Sequence, residues 1–312
     1  MSQYKEKLEK VLTEVGNVVV GKEEIIRKVM TAILAGGHIL IEDIPGVGKT
    51  TMALCFSKAM LLDYRRVQFT PDVLPSDVVG FSVLNSENKL EYKPGAAMCN
   101  LFLADEINRT SSKTQSALLE VMEEGNVSVD GKTREVPKPF IVIATQNPIN
   151  SIGTQMLPES QLDRFMIKIG MGYPAPEQEM RMLKERHKVN PLDRVQQVLD
   201  IQGLIELKKM VEEVHVHDNI YAYITNLCTT TRNHPLIELG VSPRGSLSLL
   251  CMSKANAFMK GRDYVTPEDV SEVFIDVAAH RLVLSQKAKM SHESAEKILE
   301  EIKGLVPKPS LS

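Results

Sequence analysis

The chain has 312 residues, 43% hydrophobic and 25% charged, with a formal net charge of −3 and a pI near 6.2. This is ordinary globular composition, long enough for two domains, without the basic excess or basic tail of a dedicated nucleic-acid binder. No apolar run approaches the roughly 18 residues of a membrane helix. The charged, polar residues 1–6 do not read as a signal peptide, and Cys55, Cys99, Cys228 and Cys251 show no paired spacing and read as buried thiols in a reducing, cytoplasmic compartment.

Residues 3–15 set Lys5 against Glu9 and Glu6 against Lys10 at helical spacing, which predicts a surface helix. Val18-Val19-Val20-Gly21 follows, then a second helix over 22–34 that Gly36-Gly37 ends. His38-Ile39-Leu40-Ile41 reads as a buried strand and 49–62 as a helix. Further short apolar runs at 66–69, 100–104, 140–145 and 166–169 alternate with helical stretches, the pattern of a parallel sheet covered on both faces.

Two segments read as insertions. Residues 69–97 carry Pro71, Pro75, Gly80, Pro94 and Gly95; residues 126–136 form a hairpin around Asp130-Gly131. After about 175 the strand signals stop. Pro176 opens a helix reaching His187, Asn190-Pro191-Leu192 reads as a linker, and from Leu204 the chain reads as helices only, with starts at Ser242-Pro243 and Thr266-Pro267-Glu268-Asp269. The expected architecture is an α/β domain over 1–190 and a small all-α domain over 191–312.

Pro45-Gly46-Val47-Gly48-Lys49-Thr50 lies between a predicted strand and a predicted helix, the context a phosphate loop requires. Glycines let backbone N–H groups approach phosphates, and the helix N-terminus adds partial positive charge. Lys49 would reach the β- and γ-phosphates and the Thr50 hydroxyl would bind Mg²⁺, with Thr51 following in the same turn. The usual pattern has glycine where Asp43 stands, so that acid must point away from the phosphates.

Leu101-Phe102-Leu103-Ala104-Asp105-Glu106 delivers two acids to the carboxyl end of the sheet, where ligands bind in open α/β folds. Alone they could be surface acids at a strand end. Beside a phosphate loop, Asp105 would hold Mg²⁺ through water and Glu106 would orient the attacking water. Asn147 ends the next strand and could contact that water or the γ-phosphate; on chemistry alone it could equally be an asparagine starting a turn before Pro148. His215-x-His217 lacks further spaced ligands and reads as a polar helix entry.

These strand ends, in this order, resemble an AAA+ ATPase, and more closely the MoxR family within the AAA+ branch that carries an insert in its second helix. The resemblance rests on residues 41–50, on Ala104-Asp105-Glu106-Ile107-Asn108-Arg109, and on Lys113-Thr114-Gln115-Ser116-Ala117-Leu118-Leu119-Glu120. It continues through 143–148 and 157–165 to Val241-Ser242-Pro243-Arg244. It implies a P-loop α/β core with a helical lid, the insert at 69–97, and hexameric rings. It implies that Asn147 is the first sensor, that Arg164 is an arginine finger reaching a neighbour's γ-phosphate, that Arg244 is the second sensor, and that Val20-Gly21 lies beside the adenine. On residue chemistry alone, Arg164 could instead form a surface ion pair with Asp163 or Glu159.

The resemblance also implies a Mg²⁺-dependent ATP hydrolase that remodels or matures a protein client, often alongside a von Willebrand factor A domain partner. A nucleic-acid motor or a metal-chelatase motor subunit on the same fold stays open as an alternative. The acidic pI argues against nucleic acid, while Lys132 and Arg134 on the hairpin keep it open. A scaffold that binds nucleotide without turnover is disfavoured by intact Glu106 and Arg164.

Overall fold

The structure, a computed structural model, describes residues 2–44, 46–147, 157–186 and 191–310. Pro45, Pro148, His187 and Asn190, named above, lie outside the described residues. In chain order come α1 (Ser2–Val18), α2 (Glu23–Leu34), β1 (Ile39–Glu42), α3 (Lys49–Ala59) and β2 (Tyr64–Gln68). The insert holds α4 (Pro75–Val79), β3 (Gly80–Leu84) and β4 (Leu90–Pro94). Then follow β5 (Leu101–Asp105), α5 (Ser112–Glu124), β6 (Asn126–Val129), β7 (Lys132–Glu135), β8 (Ile141–Gln146), α6 (Glu159–Leu162), β9 (Ile167–Ile169) and α7 (Pro176–Arg186).

The central sheet has the order β2-β5-β8-β1-β9 and every pairing in it is parallel. β5 and β8 are buried along their whole length, which is why they read as continuous apolar runs rather than alternating ones. Their side chains still divide by the period of two. Leu101, Leu103, Ile141 and Ile143 face the core shared with α1, α2 and α3; Phe102, Ala104, Val142 and Ala144 face a second core with α5 and Phe69.

The chain continues with α8 (Ile201–Glu212), α9 (Asp218–Asn233), β10 (Ile237–Leu239), α10 (Pro243–Met259), α11 (Pro267–Ala278), β11 (Val283–Leu284), α12 (Gln286–Met290) and α13 (Ala295–Leu305). Leu204, Leu249, Met252 and Phe274 of this helical lid join the same apolar cluster as Val29 and Ile33 of α2. The lid therefore packs on the first core. No described helix is long and apolar enough to cross a membrane.

Three details differ from the sequence reading. The lid is not helices only: β10 and β11 form a short antiparallel ribbon, Ile237 opposite Leu284. Strands of three and two residues are too short to show a period. The first helix is not merely superficial, since it runs on to Val18 and buries Leu8, Val11, Val15 and Val18 at spacings of three and four. α3 ends at Ala59, short of 62, and Leu61 takes a left-handed conformation two residues later. Cys55, Cys99 and Cys228 are buried and Cys251 is half-buried; all four are free thiols.

Candidate nucleotide site

At the carboxyl edge of β1 the chain turns into α3 through Gly46 and Gly48, at φ +88° and +98°. Such angles cost glycine nothing and would strain other residues. The turn brings Lys49, Thr50 and Thr51 into the first turn of α3, where backbone N–H groups have no helical acceptor. Lys49 is buried, and its Nζ donates to the Asp43 carbonyl at 2.6 Å. Burial lowers its pKa, opposed by the negative charges of Asp43, Asp105 and Glu106. The Asp43 carboxylate faces away from the loop. It accepts from Ile44 N at 2.7 Å, from Met171 N at 2.5 Å and from Gly172 N, tying the phosphate loop to the end of β9.

Asp105 and Glu106 end the adjacent strand but one. Thr145 Oγ1 donates to Asp105 Oδ1 at 2.6 Å and accepts from Glu106 N at 2.8 Å, so one hydroxyl sets both acids. Glu106 sits at φ +57°, rare for a residue with a Cβ and a sign of strain held by its surroundings. Its Oε1 accepts from Asn147 Nδ2 at 3.0 Å and its Oε2 from Arg109 Nη1 at 2.7 Å. Asp105 Oδ2 accepts from Arg66 Nη2 at 2.7 Å, and that nitrogen also donates to Gln68 Oε1. Lys49, Asp105, Glu106 and Asn147 thus share one edge of the sheet.

Beside the loop, Val19, Val20, Lys22, Gly46, Val47 and Thr51 line a cleft closed on the far side by Tyr173, Pro174 and Met182. Lys22 Nζ fixes that wall by donating to the Met171 and Tyr173 carbonyls at 2.6 and 3.0 Å. Gly21 lies behind it at φ +72° with the Gln178 side chain against its Cα.

Arg164 and Arg244 lie elsewhere. Met166, two residues after Arg164, donates to the carbonyl of His38, which precedes β1; this marks the amino edge of the sheet. The four residues of β1 span about 13 Å at the usual rise, so neither arginine shares an edge with Lys49. Arg164 pairs with Glu123 Oε2 at 3.0 Å, and Arg244 pairs with the other oxygen of that carboxylate. The partners expected for a surface pair, Asp163 and Glu159, are not the ones used. Asp163 instead holds Arg281 Nε at 2.8 Å and Ser242 Oγ at 2.9 Å, both from the lid.

Arg66, Arg109, Glu123, Thr145, Tyr173 and Arg281 complete this arrangement, and the sequence alone assigns none of them a role. Thr145 carried a signal: a hydroxyl inside an otherwise apolar buried strand needs a partner. His217 Nδ1 caps α9 by accepting from Asn219 N, and no cluster of three or more His, Cys, Asp or Glu suited to a metal occurs among the described residues.

Comparison with known proteins agrees with this geometry. Residues 38–167 match the model of the ATPase family associated with various cellular activities (AAA), and residues 229–302 match an AAA lid domain. An uncharacterised Bacillus subtilis protein, YeaC, is 46% identical over 97% of this chain and 95% of its own length. Chaperone MoxR1 of Mycobacterium tuberculosis is 36% identical over 98% of this chain and 83% of its own. The crystal structure of a presumed ATPase from Cytophaga hutchinsonii superposes with a TM-score of 0.92 at 38% identity, covering 99% of this chain and 96% of the other. With its parallel core, helical lid and paired acids beside a phosphate loop, the chain belongs to the MoxR family of AAA+ ATPases.

Proposed function

We propose that this ATPase hydrolyses Mg²⁺-bound ATP at sites shared between neighbouring copies in a ring, and uses the cycle to remodel a protein client. In this reading residues 1–190 form the nucleotide-binding unit and 191–312 the linker and lid. The observation that carries it is the separation of Arg164 and Arg244 from the phosphate loop by the length of β1. Arginines that stabilise γ-phosphate charge must touch it, and these two, at the opposite edge, can do so only on another copy's nucleotide.

Within one copy, Lys49 and the α3 N-terminus bind the phosphates, and Val20 and Gly21 border the base. Glu106 takes the role of general base and Asn147 holds its carboxylate in orientation. Thr50 and Asp105 would hold Mg²⁺, a hydroxyl and a carboxylate being the hard oxygen donors that cation takes. When bound, it would supply positive charge to offset that of the phosphates.

The client reading draws on the chaperone name of the Mycobacterium tuberculosis relative. A von Willebrand factor A domain protein is the partner class we infer alongside it. A nucleic-acid motor has weaker support. Arg134 lies over the Tyr92 ring at 4.0 Å and donates to the Lys132 carbonyl, so the hairpin does not hold it free for phosphates.

The test is ATPase rate per subunit against protein concentration for the parent, Glu106→Gln and Arg164→Ala. The reading expects a rate that rises with concentration, and two variants that bind ATP without hydrolysing it. A flat rate with full activity in Arg164→Ala would sink the shared site and leave the ATPase fold standing.

A further inference from the structure

Arg164 and Arg244 are eighty residues apart, one on the segment before β9 and the other in the first turn of α10. Two guanidinium groups brought to one point repel each other, and they stay together only with a counter-charge between them. That counter-charge is Glu123, in the last turn of α5, with one oxygen on each arginine. The three side chains are each only partly exposed, at 33% for Glu123, 29% for Arg164 and 43% for Arg244.

The backbone that carries this carboxylate, and the segments that carry the arginines, are anchored as well. His38 is buried, accepts from Val142 N through Nδ1 at 3.0 Å, and meets the Met122 carbonyl through Nε2 at 3.1 Å. Burial holds its imidazole down at about 4, so it stays neutral; with Nδ1 accepting, Nε2 carries the proton and donates to Met122. This bond anchors the residue just before Glu123 to the sheet. On the other side, Asp163 joins Ser242 Oγ and Arg281 Nε, which sets the segment carrying Arg164 against the helix carrying Arg244. Arg164 Nε is buried and has no hydrogen-bond partner among the described residues, so the guanidinium is held by Glu123 on one side only. Glu120, Glu124 and Gln161 line an open cleft around it.

We infer that Glu123 is the positioning residue that holds Arg164 and Arg244 as a pair, aimed together at the γ-phosphate of a neighbouring copy. The inference rests on the shared-site reading above. Glu123 touches neither nucleotide in its own copy nor the acids that hydrolyse it; it acts through the two arginines. It also shares its load with the incoming phosphate, since a γ-phosphate offers the same guanidinium groups a second anion. The arginines need not rearrange to receive it, which is the benefit of a preorganised site.

The experiment mixes two disabled chains. Glu106→Gln supplies arginines without hydrolysing, and Arg164→Ala keeps its acids without supplying a finger. On the shared-site reading their mixture regains ATPase activity that neither has alone. Glu123→Gln is then added to one chain or the other. Added to the Glu106→Gln chain, which donates the arginines, it should cut the regained rate about tenfold. Added to the Arg164→Ala chain, it should change the rate little. ADP affinity of both double variants, measured separately, should match their parents and so report folded nucleotide sites. Glu123→Asp in the donating chain keeps the charge and should restore part of the rate.

Equal losses in both arms would make Glu123 merely structural and overturn the inference. A higher rate from the donating chain would make it a restraint rather than a guide, and also overturn it. If the starting mixture regains nothing, the shared-site reading itself falls and takes this inference with it.

Discussion

Arg281 Nε donates to Asp163 Oδ1 at 2.8 Å, from a lid residue that is 4% exposed to a segment of the α/β core. The same guanidinium donates to the Phe165 carbonyl at 2.7 Å and the Met166 carbonyl at 3.2 Å. Removing one partner of a buried pair leaves the other uncompensated, which typically costs roughly 3–5 kcal/mol. Arg281→Ala is therefore expected to lower the guanidinium midpoint of unfolding followed by far-UV circular dichroism. Arg281→Lys should recover little of it, because an ammonium cannot reach several acceptors in the fork geometry that arginine offers. A lysine variant as stable as the parent would mean that charge alone matters there.

Arg109 and Glu106 form a pair at 2.7 Å that is half open to solvent on the arginine side. Exposed pairs contribute little stability, so Arg109→Ala should unfold within about 0.5 kcal/mol of the parent. Its effect on turnover should be larger. With Arg109 gone, the Glu106 oxygen that accepted from it is open to a water instead, and kcat is expected to rise about threefold. A steady-state kcat that falls instead would show that Arg109 orients Glu106.

Asp269 is fully buried at the start of α11, held by two Arg262 nitrogens at 2.6 Å each and by Thr266 N at 2.9 Å. Burial alone would raise its pKa; the Arg262 hydrogen bonds, the Thr266 N–H and the charges of Arg262 and Lys260 outweigh it and hold the carboxyl below its ordinary value. A depressed folded-state pKa stabilises above the unfolded value, near 3.9, and the benefit is lost as pH falls through the folded one. The stability gap between the parent and Asp269→Asn should be constant above about pH 5 and narrow below pH 4. Urea unfolding across that range reads it, and a gap that widens on acidification would contradict the assignment.

Gly21 lies behind the proposed nucleotide cleft, next to Val20, at φ +72°, and a Cβ there would lie 2.0 Å from the Gln178 side chain. Gln178 can swing aside, but the backbone angle cannot relax so easily. Strain of this kind costs on the order of 1–3 kcal/mol. Gly21→Ala should weaken binding of a fluorescent ADP analogue while leaving the phosphate loop intact. Unchanged affinity would put the base elsewhere.

The strand-end residues were legible because each follows a buried run whose end the pattern marks. Lys49 also sits in a motif whose glycines have a geometric reason. Asn147 was legible as a strand end but not as a partner of Glu106, because that contact depends on how β5 and β8 are registered, Ala104 beside Ala144. Glu123 was hidden among Glu120 and Glu124 on one helix. Which of three acids faces an arginine forty-one residues on is decided by packing across the sheet, and no local spacing encodes it. The β10–β11 ribbon escaped for the opposite reason, being too short to carry any pattern at all.

The two ends of β1 have a consequence for inheritance. If the acids at one end work only with arginines from the other end of a neighbouring copy, each altered chain damages a site it does not own. A cell making equal amounts of parent and Arg164→Ala chains would keep about half its sites working, but the silent ones would include sites whose acids belong to intact chains, while altered chains beside intact neighbours would still hydrolyse. A defect in either half would be felt by the assembly rather than by the gene copy that carries it.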